Sequence, residues 1–201
     1  MSEYHTPGIP DDLFERSKEI PMTKEEIRTL TISKARLKPG NVVVDVGCGT
    51  GSVTVEACRQ ISPGGEVYAI DMRRKAIALT RRNVSKFGLR NAVHLIHAEA
   101  TLGFQKLPAA DAILIGSGGQ NLTKVIELSA KNMKDEGRIV INCILLETSC
   151  TALNELDRLK FKDVEVVQVT IAKGKRVTSG TMMIARNPIT IVSGVKPGTR
   201  K

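Results

Sequence analysis

The run VVVDVGCGTGSVTVEA, Val42 to Ala57, decides the fold. Its β-branched start, Val42 to Val46, is the pattern of a strand buried on both faces of a parallel sheet. Three glycines at alternate positions follow, Gly47, Gly49 and Gly51, then a stretch with helical spacing. Strand, glycine-rich turn and helix together bring backbone amides at a helix N-terminus up against a ligand. The odd member is Asp45, a carboxylate at the mouth of the turn.

Three ligand classes use such a turn. A phosphate-binding P-loop needs a lysine after its last glycine; here Gly51 is followed by Ser52 and Val53. A dinucleotide site has the spacing G-x-G-x-x-G, and its last glycine falls on Ser52, a weak exclusion because small residues substitute there. Asp45 argues more strongly. A carboxylate two residues before the first glycine repels a pyrophosphate and suits a ligand carrying an ammonium group. S-adenosylmethionine carries an α-ammonium and a sulfonium, and glycines let it approach the backbone closely. Asp71 ends the second predicted strand, twenty residues after Gly51, where a carboxylate accepts from ribose hydroxyls. It is also a candidate cap for the helix that follows. Glu99, past the third strand, is a candidate acceptor for an adenine amine, or an exposed loop acid. His97 beside it reads as a packing or loop residue.

The rest of the chain fits an alternating α/β pattern. Residues 1–22 are polar and proline-bearing and read as an extension. Thr23 with Glu26 forms a capping-box pattern for a helix running to about Leu37. Strands are expected over 67–70, 92–97, 112–115 and 138–145, with helices over 53–60, 73–87, 122–133 and 149–159 between and after them. Residues 164–172 and 181–186 read as two closing strands, and 189–192 as a further extended, apolar piece. Repeated β-α units of this kind give a doubly wound, Rossmann-like sheet with helices on both faces and ligands beyond the carboxyl ends of the strands.

Composition narrows the partners. The net charge of +9 and pI near 9.6 favour an anionic partner. Yet aromatic residues make up only 3% of the 201 residues, with no tryptophan, which leaves little base-stacking surface. Nucleic acid is therefore favoured by charge alone. Cys48, Cys58, Cys143 and Cys150 fit neither CxxC pairs nor a Cys/His zinc pattern, and no metal site or disulfide is expected. The N-terminus lacks a signal-peptide pattern and no apolar run approaches the length of a membrane span. The expectation is an intracellular, cytoplasmic protein with reduced thiols and no membrane partner.

D-x-G-x-G-x-G followed by an acid ending the second strand resembles the class I S-adenosylmethionine-dependent methyltransferases. That resemblance covers about Lys38 to Arg186 and implies a seven-stranded sheet with its last strand antiparallel. No Asn/Asp-Pro-Pro-aromatic motif follows the fourth strand, where enzymes acting on base amino groups carry one. Nor do carboxylates stand there to hold Mg²⁺, as in catechol-type enzymes. Gly116-Ser117-Gly118-Gly119 stands there instead.

With Gly8-Ile9-Pro10-Asp11-Asp12, Pro21-Met22-Thr23, Ile144-Leu145-Leu146-Glu147-Thr148, Gly180-Thr181-Met182-Met183 and Arg186-Asn187-Pro188, these residues resemble the cobalamin-pathway (cobalt-)precorrin-6B C15-methyltransferases, which decarboxylate as they methylate. The resemblance implies one domain over 1–201, with 1–38 an extension whose helix covers the cofactor and 39–201 the core. It implies S-adenosylmethionine as cofactor, held by Thr23, Asp45, Gly47, Cys48, Gly49, Thr50, Gly51, Asp71, Glu99 and Ala100. The family's usual Gly-Asp-Ala reads Ala98-Glu99-Ala100 here. It also implies a corrinoid polycarboxylate substrate and a homotetramer, in which 189–192 is a candidate interface strand; bare backbone at Gly116, Ser117, Gly118 and Gly119 suits a flat ring, and Lys175 and Arg176, in an expected loop Lys173-Gly174-Lys175-Arg176, are candidates to pair its carboxylates, with an ordinary surface loop the alternative. No general base is identified; Glu147, at the expected end of the fifth strand, is the best acidic candidate, with an ordinary loop carboxylate or helix cap the plainer reading. The alternatives are an RNA or protein methyltransferase of the same fold, and a nucleotide-binding scaffold without catalysis, against which the intact Asp45-to-Asp71 set argues.

Overall fold

A computed structural model describes residues 6–105, 107–116 and 121–198. The helix α1 (Glu25–Ala35) precedes β1 (Val42–Val46), α2 (Ser52–Gln60), β2 (Glu66–Asp71), α3 (Arg74–Lys86), β3 (Val93–His97) and the one-turn α4 (Ala100–Gly103). Then come β4 (Ala110–Ile115), α5 (Leu122–Asn132), β5 (Met133–Cys143), α6 (Leu146–Arg158), β6 (Lys162–Val169), β7 (Ala172–Val177), β8 (Gly180–Ala185) and β9 (Ile189–Val195). Seven strands form one sheet in the order β3-β2-β1-β4-β5-β9-β6. The first five are parallel, and β9 runs antiparallel to both β5 and β6.

The valine run explains why β1 is central. Val43 packs into the core on the α1–α2–α3 side, and Val44 and Val46 into the core on the α5–α6 side. A strand apolar on alternate residues could cover only one of these layers. Each fully buried Val or Ile contributes about 1.5–3 kcal/mol, so β1 and β4, buried along most of their lengths, anchor the domain. The chain order reverses between β1 and β4. This is the switch point where an α/β sheet opens a crevice beyond its strand ends.

The carboxyl-terminal third departs from the expectations. The strand foreseen over 138–145 stops at Cys143, and Leu146 already begins α6; Ile144, Leu145 and Leu146 are exposed, so their hydrophobicity does not mark a strand. Residues 181–186 do not close the main sheet. They belong to β8, which pairs only with β7 in a separate hairpin. Lys173-Gly174-Lys175-Arg176 is thus strand, not loop. The closing role falls to β9, whose Ile191 and Val192 are buried between β5 and β6. Ile191 and Val192 therefore serve this chain's own core, against the expectation that the apolar piece 189–192 forms an interface.

Thr23 is not the cap of α1. Lys24 holds the N-cap position, and the Glu25 amide donates instead to Asp11 Oδ1 at 3.0 Å. Glu26 is drawn away from any capping box by Lys173 (2.5 Å) and Arg186 (3.0 Å). The extension is tied down by a buried cation. Arg28, fully buried, pairs with Glu56 (3.1 Å) and Asp11 (3.1 Å), donates to the carbonyls of Thr23 and Ile9, and lies over the Phe14 ring. Glu56 in turn accepts from the amides of Gly8 and Ile9. Such an ion pair is held by geometry and hydrogen bonds, because desolvating both charges is costly.

Candidate active site

Beyond the carboxyl ends of β1, β2, β4 and β5 lies a cavity of about 970 Å³. Residues 21–24 of the extension close one side, the glycine loop forms the floor, and the segments after β3, β4 and β8 supply the other walls.

The loop is held from behind. The amides of Gly47 and Cys48 both donate to Ile70 O (2.8 and 3.0 Å), and Gly51 N donates to Cys48 O (2.7 Å). Thr80 Oγ1 donates to Gly49 O, and Asn83 Nδ2 to Thr50 O. Gly51 has φ +76°, and a Cβ there would lie 2.6 Å from Thr80 Cγ2. Only glycine joins that left-handed turn to a helix packed so closely. At Gly49 a Cβ would stand 3.3 Å from Pro21 O, so the loop and the extension also need a bare backbone where they meet.

Asp45 lines the cavity although it is 2% exposed. Thr54 Oγ1 donates to its Oδ2 at 2.5 Å. Burial pushes its carboxyl up to about 6, the nearby Asp71 charge adds to the rise, and the Thr54 hydrogen bond opposes it. An acid perturbed this way in a cleft is a mark of a binding site. Asp71 is 4% exposed. Its Oδ2 accepts from Gly49 N (3.0 Å) and its Oδ1 from Arg73 N (2.9 Å), so it braces the loop and turns the chain into α3. The Cys48 thiol is raised by burial and then by the Asp45 charge, which makes it a packing group and not a nucleophile.

The cavity brings together most of the residues expected from sequence. Thr23, Asp45, Gly47, Cys48, Gly49, Thr50, Asp71, Glu99, Ala100 and Gly116 all line it; Gly51 stands just behind. Glu99 Oε1 accepts from Asn121 Nδ2 at 3.1 Å, across the mouth from β3 to α5. Ser117, Gly118 and Gly119 lie outside the described residues. Three expected residues are elsewhere. Glu147 sits exposed in the first turn of α6, and Lys175 and Arg176 are exposed on β7; none of them lines the cavity. The cations that do are Lys24, Arg73 and Arg186. Sequence reading also passed over Thr54, whose signal was its place one helical turn inside α2, and Asn142, the single polar residue in Ile139-Val140-Ile141-Asn142-Cys143. Two large apolar side chains, Met72 and Ile144, each 67% exposed, rim the opening.

The precorrin methyltransferase domain family matches residues 12–196. The chain belongs to that family. A probable cobalt-precorrin-6B C(15)-methyltransferase (decarboxylating) of Saccharolobus solfataricus is 50% identical, over 96% of this chain and 98% of its own. One of the same description from Pyrobaculum calidifontis is 44% identical, over 94% and 96%. Among solved structures, precorrin 8W decarboxylase of Methanobacterium thermoautotrophicum superposes with a TM-score of 0.87 at 36% identity, covering 92% of this chain and 98% of its own. A tRNA (m1A58) methyltransferase from Aquifex aeolicus reaches a TM-score of 0.72 at 16% identity, over 92% and 73%, which is likeness of fold alone. Precorrin methyltransferase membership thus accounts for the extension as well as the sheet, since the family match begins at residue 12. Among the described residues no helix is long and apolar enough to cross a membrane.

Proposed function

We propose that this protein transfers a methyl group from S-adenosylmethionine to C15 of a precorrin or cobalt-precorrin and releases the C12 acetate carboxyl as CO₂, in cobalamin biosynthesis. The observation that carries this reading is the 50% identity to the Saccharolobus relative along essentially both whole chains. The RNA or protein alternative has only net charge and shared fold behind it.

The cavity suits the methyl donor. A buried carboxylate, Asp45, offers a counter-charge for an α-ammonium, and bare backbone at Gly49 and Gly116 lets the loop pack against Pro21 O and against β4, which fixes the floor of the cavity. Asp71, Glu99 and Ala100 stand where ribose and adenine contacts are expected, and Thr23 covers them from the extension. Bound S-adenosylmethionine supplies an electrophilic methyl on a sulfonium. The chain's own part is to hold, orient and enclose; proximity alone can account for much of the rate of such a displacement. Loss of the acetate carboxyl leaves its bonding pair in the conjugated ring, so no protein base is needed for that step. The cavity's cations Lys24, Arg73 and Arg186, which also pair with Asp11, Asp71 and Glu26, are our candidates to meet substrate carboxylates, and Met72 and Ile144 to meet the ring's flat apolar face. This replaces Lys175 and Arg176 in that role and leaves Glu147 outside it.

In this reading residues 1–201 act as one domain, the extension serving as its cofactor cover. The homotetramer is assigned to the β7–β8 hairpin. Its Val177, Met182, Met183 and Ile184 are 40–61% exposed, and a lone two-stranded ribbon is marginal in water until another chain covers it. A cytoplasmic location is part of the same reading, and four free cysteines are consistent with a reducing compartment.

The acceptor class is tested by offering the protein labelled S-adenosylmethionine with either cobalt-precorrin-6B or bulk tRNA. Label is expected in the corrinoid. Label in the tRNA alone would replace this reading with the alternative.

A further inference from the structure

In the proposed function the Asp71 carboxylate accepts from the ribose hydroxyls of the methyl donor. A carboxylate offers about four acceptor places, two on each oxygen. At Asp71 all of them are filled. Oδ2 takes Gly49 N at 3.0 Å and Arg73 Nη2 at 3.4 Å, and Oδ1 takes Arg73 N at 2.9 Å and Arg73 Nε at 3.3 Å.

Two of these donors are fixed and two are not. The Gly49 amide belongs to the glycine loop, and the Arg73 amide to the turn into α3. That turn is tied to the end of β3: His97 Nε2 donates to Met72 O at 3.0 Å, and Ala98 N donates to Asp71 O at 3.3 Å. Taking either amide away means remaking the floor of the cavity. The guanidinium is different. Its side chain is 44% exposed, and an ion pair so open to water is weak. Its contacts are also longer than the roughly 2.7–2.9 Å of a strong charge-assisted bond. A ribose diol arriving at Asp71 therefore takes the places of the guanidinium and leaves the two amides where they are.

The displaced charge has somewhere to go. Among the described residues three cations line the cavity, Lys24, Arg73 and Arg186. Lys24 pairs with Asp11 and Arg186 with Glu26, and neither of those carboxylates lines the cavity. Of the three, Arg73 is the one whose partner the methyl donor itself claims. We propose that Arg73 is a latch opened by the donor: the ribose hydroxyls displace its guanidinium from Asp71, and the freed guanidinium pairs with a carboxylate of the acceptor. Donor and corrinoid then bind with positive coupling, and Arg73 moves no proton. The proposal rests on the functional reading above, which supplies both ligands.

The test compares wild type with Arg73→Met, with Tm confirming that the variant folds. The first arm uses 5′-methylthioadenosine, whose lack of charge removes any long-range effect of the lost cation. Arg73→Met should bind it about threefold more tightly than wild type, and both proteins should bind its 2′,3′-dideoxy analogue equally. The second arm uses the corrinoid. In wild type, saturating S-adenosylhomocysteine should tighten cobalt-precorrin-6B binding about threefold, and the corrinoid should tighten S-adenosylhomocysteine by the same factor. In Arg73→Met that coupling should vanish and the corrinoid KM should rise about tenfold. Methylthioadenosine binding that is unchanged or weaker in the variant overturns the proposal, as does a gain that persists with the dideoxy analogue. An unchanged corrinoid KM overturns it too. A wild type that binds S-adenosylmethionine but transfers no methyl to the corrinoid sinks the functional reading, and the corrinoid half of the proposal with it; the nucleoside arm, run without corrinoid, still decides whether Arg73 yields Asp71.

Discussion

The glycine loop and the β7–β8 hairpin order short pieces of chain in opposite ways. In the loop, Gly47, Cys48 and Gly51 donate inward to backbone carbonyls, Thr80 and Asn83 reach in from α3, and Asp45 is buried beneath. The hairpin has its own ladder and little else. It is exposed along β7 and nearly all of β8, and is anchored at its base by Arg186 N to Ile171 O and by Lys173 and Arg186 on Glu26. Support from within one chain makes a site. Its absence leaves a surface that another copy can complete.

Substitutions behind the loop are therefore expected to act on the whole molecule, and substitutions in the hairpin on the proposed assembly alone. The largest effect is expected from Arg28→Met. It strands Glu56 without its cation inside the protein and should cost about 3–5 kcal/mol, read as a fall in Tm, with loss of S-adenosylmethionine binding as residues 21–24 come free. Gly51→Ala comes next. The new Cβ meets Thr80 at 2.6 Å, at a backbone φ that disfavours L residues; about 2–3 kcal/mol is expected, seen in chemical denaturation.

Asp45→Asn separates binding from stability. Its folded pKa, about 6, lies above the unfolded 3.8, so the native state holds the extra proton between those values. Stability without ligand therefore falls as pH rises from 3.8 to 6. The asparagine variant should gain about 1–2 kcal/mol over wild type at pH 8 and nothing at pH 3. Its affinity for S-adenosylmethionine should drop about ten- to a hundredfold at pH 8, and wild-type affinity should weaken as pH falls through 6. Calorimetry at several pH values checks all three. Last, Met182→Ser with Met183→Ser should lower the molar mass seen by light scattering and leave the S-adenosylmethionine Kd unchanged. A changed Kd would erase the contrast between the two regions.

The same contrast decides what could be read in the sequence. The first five strands and the loop were legible because β1 and β4 are buried on both faces and the turns carry their own glycine or acid; β-branched runs and D-x-G-x-G-x-G are local signals. The glycine-loop side of the cavity lining followed from it, down to Asp45 and Asp71. What failed was non-local. Ile144-Leu145-Leu146 is as apolar as a strand, yet it is exposed at the cavity rim. Residues 181–185 are as apolar as a sheet strand, yet in β8 they pair with β7, outside the main sheet. Glu26 looked like a capping partner until Lys173 and Arg186, far along the chain, claimed it. Thr54 and Asn142 carry only a faint positional signal in the sequence, and their partners Asp45 and Thr31 are brought to them by folding.

In the proposed function one active site couples methyl gain to carboxyl loss. Incubating the protein with cobalt-precorrin-6B and S-adenosylmethionine, and following product mass and released CO₂ together, tests it most directly. One methyl gained for each CO₂ released is the expected result. CO₂ release without methylation, methylation without CO₂ release, or an unaltered corrinoid would contradict it.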